Sequence, residues 1–326
     1  MCKVSVIVPV YKVAEFIERC ARSLFEQTLQ DIEFIFVDDA TPDASIAIMQ
    51  TVLAEYPNRM KQVKLITHEC NKGLPAARNT GLKTALGEYV FHCDSDDFVE
   101  PDMLEKLYNT AKDEMVDIVW CDWFLSFEKN ERYMKQPQYL SAMEALKGML
   151  TGAMKYNVWN KLVKRDLYQI HQIKFPDGYG MGEDMTMIML FAYAEKVKYI
   201  PHAFYHYVKL NSNAFSQTYS EHHLVELKHN TQCIVEFIQN KFGHTLDKEL
   251  SLFKLEVKFP FLITGNKKKY KLWKEWYPEA NHYILRNINV SFRNRLLQWA
   301  AWKGQYWIVW IYTHTVLKVV YGIIYK

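Results

Sequence analysis

The sequence predicts an α/β fold, a doubly wound and mainly parallel sheet, with a helical C-terminal extension. Three observations carry that expectation. Through the first third, short β-branched runs alternate with longer segments whose apolar residues recur at helical spacing, the pattern of β–α–β units. The first two runs read as fully buried, as strands covered on both faces are. From Ser220 onward the pattern is helical.

Val4–Val8 (VSVIV) reads as a buried first strand, and AEFIERCARSLFEQT behind it as the first helix. Glu33–Val37 (EFIFV) is a second strand, followed by TPDASIAIMQTVLAEY, in which Pro42 is placed to open a helix. Val63–Thr67 supplies a third strand. GLPAARNTGLKTALG reads as a helix of small residues closed by Gly87, and Glu88–Cys93 as the fourth strand. Between Asp117 and Tyr207 helical and strand patterns mix. EHHLVELKHNTQCIVEFIQNKF and LDKELSLFKLEVKFPFLIT then read as a helical pair. The expected organisation is one α/β domain over residues 1–215, in two halves that meet at about residue 120. A helical extension follows over 216–290, and an amphipathic, aromatic and basic tail over 291–326.

A hydrophobic fraction of 49% and a charged fraction of 24% belong to a folded globular chain of 326 residues. The net charge of +3 is too mild to point to nucleic acid as a partner. Six cysteines without a C-x-x-C pair give no support to a zinc knuckle or a dithiol redox motif. The opening MCKVSVIVPVY enters a strand at once and does not read as a signal peptide, so the expected compartment is the cytoplasm.

In a sheet of this kind ligands sit beyond the carboxyl ends of the strands. What falls there is acidic. Strand two ends in Asp38-Asp39 and strand four in Asp94-Ser95-Asp96-Asp97. Taken alone, Asp94-Ser95-Asp96 reads as a polar turn or as a divalent-metal site, since carboxylate oxygens suit Mg2+ or Mn2+. The chain lacks a G-x-x-x-x-G-K-[ST] loop and a G-x-G-x-x-G after strand one, so a metal is the natural partner for a diphosphate in this crevice. Asp38 and Asp39 read as helix caps or as partners for a base or ribose hydroxyl. Glu183 and Asp184 open an apolar helical run behind Gly178, Gly180 and Gly182, glycines that suggest a mobile approach loop. The acids complement a helix dipole or, held beside a pocket, supply a general base. His206, between Tyr205 and Tyr207, reads as structural or as a metal ligand.

Read in order, SVIVPVYKVAEFIERCARSLFEQT, EFIFVDDATPDAS, NKGLPAARNTGL, GEYVFHCDSDDFVEPDML, WNKLVKR and GED closely resemble the inverting family-2 glycosyltransferases of the GT-A fold, of bacterial surface-polysaccharide type. The likeness covers about Val4 to Tyr207. It implies a nucleotide-sugar site of Pro9, Tyr11, Glu15, Asp39, Lys72, Gly73, Arg78, Asn79, Asp94 and Ser95. It implies a Mg2+ or Mn2+ ion on Asp96, with Asp94 and His206 as further candidates, and Asp184 as catalytic base. Trp159, Lys161 and Glu183 would line the acceptor side. The donor implied is a nucleotide-diphosphate sugar, UDP-sugar first, and the acceptor a hydroxyl of a glycan or lipid-linked saccharide. A sugar-nucleotide-forming nucleotidyltransferase and an inactive nucleotide-binding scaffold are the alternatives. The first would want an early glycine-rich loop, which Val8–Tyr11 does not offer.

Three departures stand out. Lys12 replaces a frequent Asn, Ala40 a frequent Gly, and Tyr205-His206-Tyr207-Val208 stands where many relatives carry Tyr-Tyr-Arg. The tail is rich in Trp299, Trp302, Trp307 and Trp310, with Arg293, Arg295, Lys303, Lys318 and Lys326 among them. A lysine within the apolar run Tyr306–Tyr325 makes spanning a bilayer costly, by roughly 2.5–3.5 kcal/mol at the centre. The composition therefore predicts a helix lying in a membrane interface, with a buried C-terminal helix or a dimer contact as the alternative, and the expected location is the cytoplasmic face of the inner membrane.

Overall fold

The computed structural model describes residues 2–210, 220–264, 266–317 and 319. The elements run in the order β1 (Val4–Val10), α1 (Ile17–Phe25), β2 (Ile32–Asp38), α2 (Ser45–Ala54), β3 (Val63–Thr67), α3 (Leu74–Thr84), β4 (Tyr89–His92) and β5 (Phe98–Val99). Next come α4 (Met103–Asp113), β6 (Ile118–Ser126), β7 (Glu131–Met134), α5 (Ala142–Leu150), β8 (Lys161–Lys164), α6 (Arg165–Ile170), α7 (Thr186–Tyr193) and β9 (Val197–Val208). The helices α8 (Glu221–Phe242), α9 (Asp247–Lys258), α10 (Lys267–Glu275), α11 (Phe292–Trp302) and α12 (Tyr306–Tyr312) follow.

The strands form one sheet in the order β3-β2-β1-β4-β8-β6-β9-β5, with β7 paired to β6. The first four are parallel, as the alternation of strands and helices predicts. Every residue of β1 and β2 is buried, which explains their mainly apolar runs; the two polar side chains inside them meet each other, Ser5 Oγ donating to Glu33 Oε1. Past β4 the sheet turns mixed: β8 runs antiparallel to both β4 and β6, while β6 and β9 are parallel.

Two readings of local structure need correction. The second helix opens at Ser45, three residues beyond Pro42, because Asp43 stops the chain first. Its carboxylate accepts from Ser45 N, Ser45 Oγ, Thr41 Oγ1 and Ala14 N. Those bonds outweigh the effect of burial and hold the Asp43 carboxyl below its ordinary range. Gly87 is not a helix cap, since α3 ends at Thr84. It lies against β1, where an added Cβ would stand 2.4 Å from the Ser5 nitrogen. The residue is glycine because the backbones touch.

The carboxyl-end loops are stitched to one another. Lys12 N donates to Thr41 Oγ1 at 2.8 Å and Val13 N to Ser45 Oγ at 3.1 Å. Lys12 and Ala40, two of the three departures noted in the sequence, have φ of 55° and 54°. Both positions demand the left-handed region, which a side chain makes costly and which Asn and Gly tolerate. Ala40→Gly is therefore expected to stabilise the protein by about 0.5–1 kcal/mol, seen as a rise in Tm of roughly 1–4 °C. An unchanged or lower Tm would show that no strain is stored there.

By contact the chain divides into two compact units. One comprises residues 1–126, 131–142 and 156–230; the other comprises 127–130, 143–155 and 231–326. The first holds the sheet. The second is helical, and residues 143–155 belong to it because Asn289 Nδ2 donates to Thr151 Oγ1 and Gly152 lies against Glu256. Its core includes Phe253, Phe261, Trp273, Ala300 and Ala301. Buried among them, the Lys258 ammonium donates to Trp276 O and Asn281 Oδ1, both at 2.7 Å, and burial lowers its pKa to about 7. Lys318, Lys326 and most of the run Tyr306–Tyr325 beyond Leu317 lie outside the described residues.

Candidate active site

Because β1, β2 and β4 are parallel, their carboxyl ends fall on one edge of the sheet, and the acidic turn 94–97 leaves that edge from β4. Arg78, on α3, is 1% exposed and reaches over it. Its Nη2 donates to Asp94 Oδ1 at 2.8 Å and to Glu183 Oε1 at 3.3 Å. One guanidinium thus joins the strand-end acids to the Glu183-Asp184 pair. Nε and Nη1 of Arg78 are buried and lack a partner among the described residues. Two spare donors on a fixed planar cation suit a phosphate or a sugar hydroxyl.

Asp184 is half-buried on a single 3-10 turn, Glu183–Met185, that leads into α7. Burial pushes its carboxyl well above the usual carboxylate range, and the Glu183 charge adds to this, against the opposing pull of Arg78 and Lys161. A carboxylate so raised is a stronger base than a free one. Burial likewise raises Glu183, with Arg78 opposing. Lys161 is 1% exposed, held by Asn157 O and Asn160 Oδ1, and burial lowers its pKa to about 7.

The loop ahead of Asp184 is fastened rather than loose. Asn230 Nδ2 donates to Tyr179 O and Met181 O, both at 2.9 Å, and Met181 N donates to Glu226 Oε2. Gly182 has φ of 88°, so its glycine serves a left-handed turn. Asn79 closes the other end, exchanging bonds with Phe175 and donating to Asp177 Oδ1 at 2.7 Å.

The sequence-predicted residues fall into groups. Arg78, Asp94, Glu183, Asp184 and Lys161 share one electrostatic centre. Asp39, Lys72 and Gly73 form a second: Asp39 accepts from the backbone N–H groups of Lys72 and Gly73 at 2.8 Å and meets His68 Nδ1 at 2.7 Å. Pro9 and Ser95 are buried, while Tyr11 and Glu15 stand exposed on the loop after β1. Trp159 is 7% exposed and lies flat against Tyr205 and Tyr207, with ring centroids 4.5 and 5.3 Å away. His206 sits between the rings of Phe98 and Phe124, its Nδ1 on Glu131 and its Nε2 on Glu100. Both nitrogens are engaged by carboxylates, which leaves none for a cation.

Residues that motif reading missed hold the acidic turn in place. Tyr205 OH donates to Asp97 Oδ2 at 2.7 Å and accepts from Asp94 N at 3.1 Å. Asp97 Oδ1 accepts from Val208 N. The only sequence signals were the third acid in the cluster and a tyrosine in a strand.

The acids fit a divalent cation. Burial first, then the charges of Asp96 and Asp94, pushes the Asp97 carboxyl well above its usual range, so like charge is concentrated at this turn. No group of three or more His, Cys, Asp or Glu side chains is placed to cage a metal among the described residues. Mg2+ and Mn2+ need only one or two carboxylates, with the phosphates of a substrate completing the shell.

The site is thus a sheet edge with clustered carboxylates, a buried arginine and a raised acid behind it. The glycosyl transferase family 2 pattern matches residues 5–182, and the chain belongs to that family. It is 35% identical to the uncharacterized glycosyltransferase EpsJ of Bacillus subtilis over 66% of this chain and 63% of that one. It is 34% identical to the cholesterol galactosyltransferase of Borreliella burgdorferi over 62% of this chain and 59% of that one. The chain thus spans less than two-thirds of the length of these relatives. Among solved structures, S. aureus TarS 1-349 superposes with a TM-score of 0.67 at 19% identity, covering 93% of this chain and 92% of that one. The same fragment in complex with UDP-GlcNAc gives 0.59. At that identity the likeness is one of fold, and it bears out the GT-A architecture with its helical C-terminal region.

Proposed function

We propose that the chain moves a sugar, with inversion, from a nucleotide-diphosphate sugar to a hydroxyl of a glycan or lipid-linked saccharide in bacterial surface-polysaccharide assembly, such as capsule or O-antigen. The carrying observation is the Arg78 bridge, which sets the strand-end acids beside a carboxyl raised enough to work as a base. UDP-sugar is the donor of first choice, since the TarS fragment of like fold binds UDP-GlcNAc.

In this reading Asp96, with Asp94, would hold Mg2+ or Mn2+, which when bound supplies positive charge to the departing diphosphate. The remaining work falls to side chains. Arg78 turns its spare Nε and Nη1 toward the donor and keeps Asp94 and Glu183 apart from one another. Glu183 keeps the Asp184 carboxyl basic through its charge. Asp184 takes the proton of the acceptor hydroxyl, whose oxygen attacks the anomeric carbon from the face opposite the nucleotide. The C-terminal segment 291–326 would keep the enzyme at the cytoplasmic face of a membrane, near a lipid-linked acceptor. No helix of the described residues is long and apolar enough to cross one.

Thermal unfolding with UDP-sugars, with and without Mg2+ or Mn2+, tests the donor assignment. UDP plus metal at a hundred times its Kd is expected to stabilise the fold by about 2.7 kcal/mol. Asp96→Ala is expected to lose the metal-dependent part and all turnover. Near-normal turnover of that variant in saturating metal would remove Asp96 from the site, and no response to any UDP-sugar would remove the donor.

A further inference from the structure

The helical unit carries a groove that the transfer reaction does not use. It has a volume of about 710 Å³ and is lined by Tyr270, Lys271 and Lys274 of α10 and by Tyr306, Trp307 and Trp310 of α12. Tyr270 and Tyr306 stack at 5.6 Å with their rings 7° from parallel, which ties the two helices together. Trp307 and Trp310 stand 61% and 44% exposed. Lys271 is exposed and lies 3.9 Å from Glu275, its one counter-ion among the described residues.

We infer that this groove is a slot for the phosphate headgroup of an anionic phospholipid at a bilayer surface. The proposal rests on the membrane-surface reading of segment 291–326 and adds α10, which that segment does not include. Three observations select the occupant. Residues 264–326 carry eleven Lys and Arg against two Glu, a surplus of nine in a chain whose net charge is +3. A phosphate-bearing surface is the complement of that charge. The walls are aromatic, and Trp and Tyr settle at the headgroup boundary while lysine stems lie along apolar surface with the ammonium free. Finally, among the described residues no carboxylate or amide lines the groove to hold sugar hydroxyls, which speaks against a glycan platform. Ile288, Phe292 and Ile311 stand 80%, 70% and 45% exposed in the same unit, apolar area suited to acyl chains.

Two lipid forms separate the slot from a merely basic surface. The full chain is sedimented with phosphatidylglycerol vesicles and with phosphatidylcholine vesicles. It is then titrated with monomeric dihexanoyl phosphatidylglycerol, which offers a headgroup but no charged surface, and tryptophan fluorescence is read. Inorganic phosphate and a soluble oligosaccharide are the controls. Expected are binding to the anionic vesicles alone and a saturable fluorescence change with the monomer that Trp307→Phe/Trp310→Phe abolishes. Lys271→Glu/Lys274→Glu is expected to weaken vesicle binding at least about tenfold. Vesicle binding without a response to the monomer would overturn the slot and leave the surface reading standing. Absence of vesicle binding would overturn both. An equal response to phosphate alone, or a response to the oligosaccharide in place of the lipid, would overturn the headgroup assignment. The monomer titration uses the unaltered chain, so a variant that fails to fold does not remove the test.

Discussion

Asp184→Asn lowers kcat by about 10²–10⁴ and leaves donor affinity within about twofold, the expected signature of losing a positioned base. The carboxyl is raised by burial and by Glu183, so in the unaltered enzyme kcat/KM climbs with pH at a point well above the ordinary carboxylate range. The Asn variant loses that climb. Stability separates this role from a structural one. A carboxyl whose folded pKa lies above its unfolded value destabilises the fold as pH rises through that interval, because ionisation is resisted only in the folded state. Replacing it with a neutral isostere removes the penalty at neutral pH. Asp184→Asn should therefore melt no lower than the parent at pH 7. A variant that melts lower, or that loses donor affinity in step with kcat, would mark Asp184 as a framework or donor-binding residue instead.

β1 and β2 were legible because every residue in them is buried and their sequences carry that signature. β8 and β7 were not: both run antiparallel in a region where strand and helix patterns mix, β7 as a short hairpin partner of β6 that is largely exposed, and β8 through a pairing with β6 some forty residues away along the chain. The same division holds at the site. Asp94-Ser95-Asp96 and Glu183-Asp184 could be read as local motifs. Their connection could not, since Arg78 and Glu183 lie 105 residues apart. The Tyr205–Asp97 bond, across 108 residues, was equally invisible. Glycines told a partial truth. Gly182 does mark a special turn, but Gly178–Gly182 is tied down by Asn230, and Gly87 reports a close approach to β1 that no one-dimensional pattern encodes. Lys12 and Ala40 ran the other way, since a departure from the family pattern became intelligible only once their φ angles were seen.

Arg78→Met is expected to cost about 3–5 kcal/mol at pH 7.5, because it leaves Glu183 and Asp94 beside each other with no cation. The substituted side chain has nearly the length of the original stem, so the loss is chiefly one of charge. Its pH dependence gives the cause away. Without the guanidinium the Glu183 pKa rises further above its unfolded value. The deficit relative to the parent is then absent below the unfolded carboxyl pKa near 4.3 and grows as pH rises. Unfolding measured at pH 4.5 and 7.5 should show a small difference at the first and a large one at the second. Kinetics should fall on both axes, since donor contacts and the alignment of Asp184 depend on the same side chain. The decisive comparison is the pair Arg78→Met with Glu183→Gln. Removing the stranded charge should restore much of the lost stability while leaving turnover low, a coupling seen only between groups in direct contact. If Glu183→Gln rescues nothing, Arg78 acts elsewhere than on Glu183, and the bridge between the strand-end acids and the base is not what aligns this site.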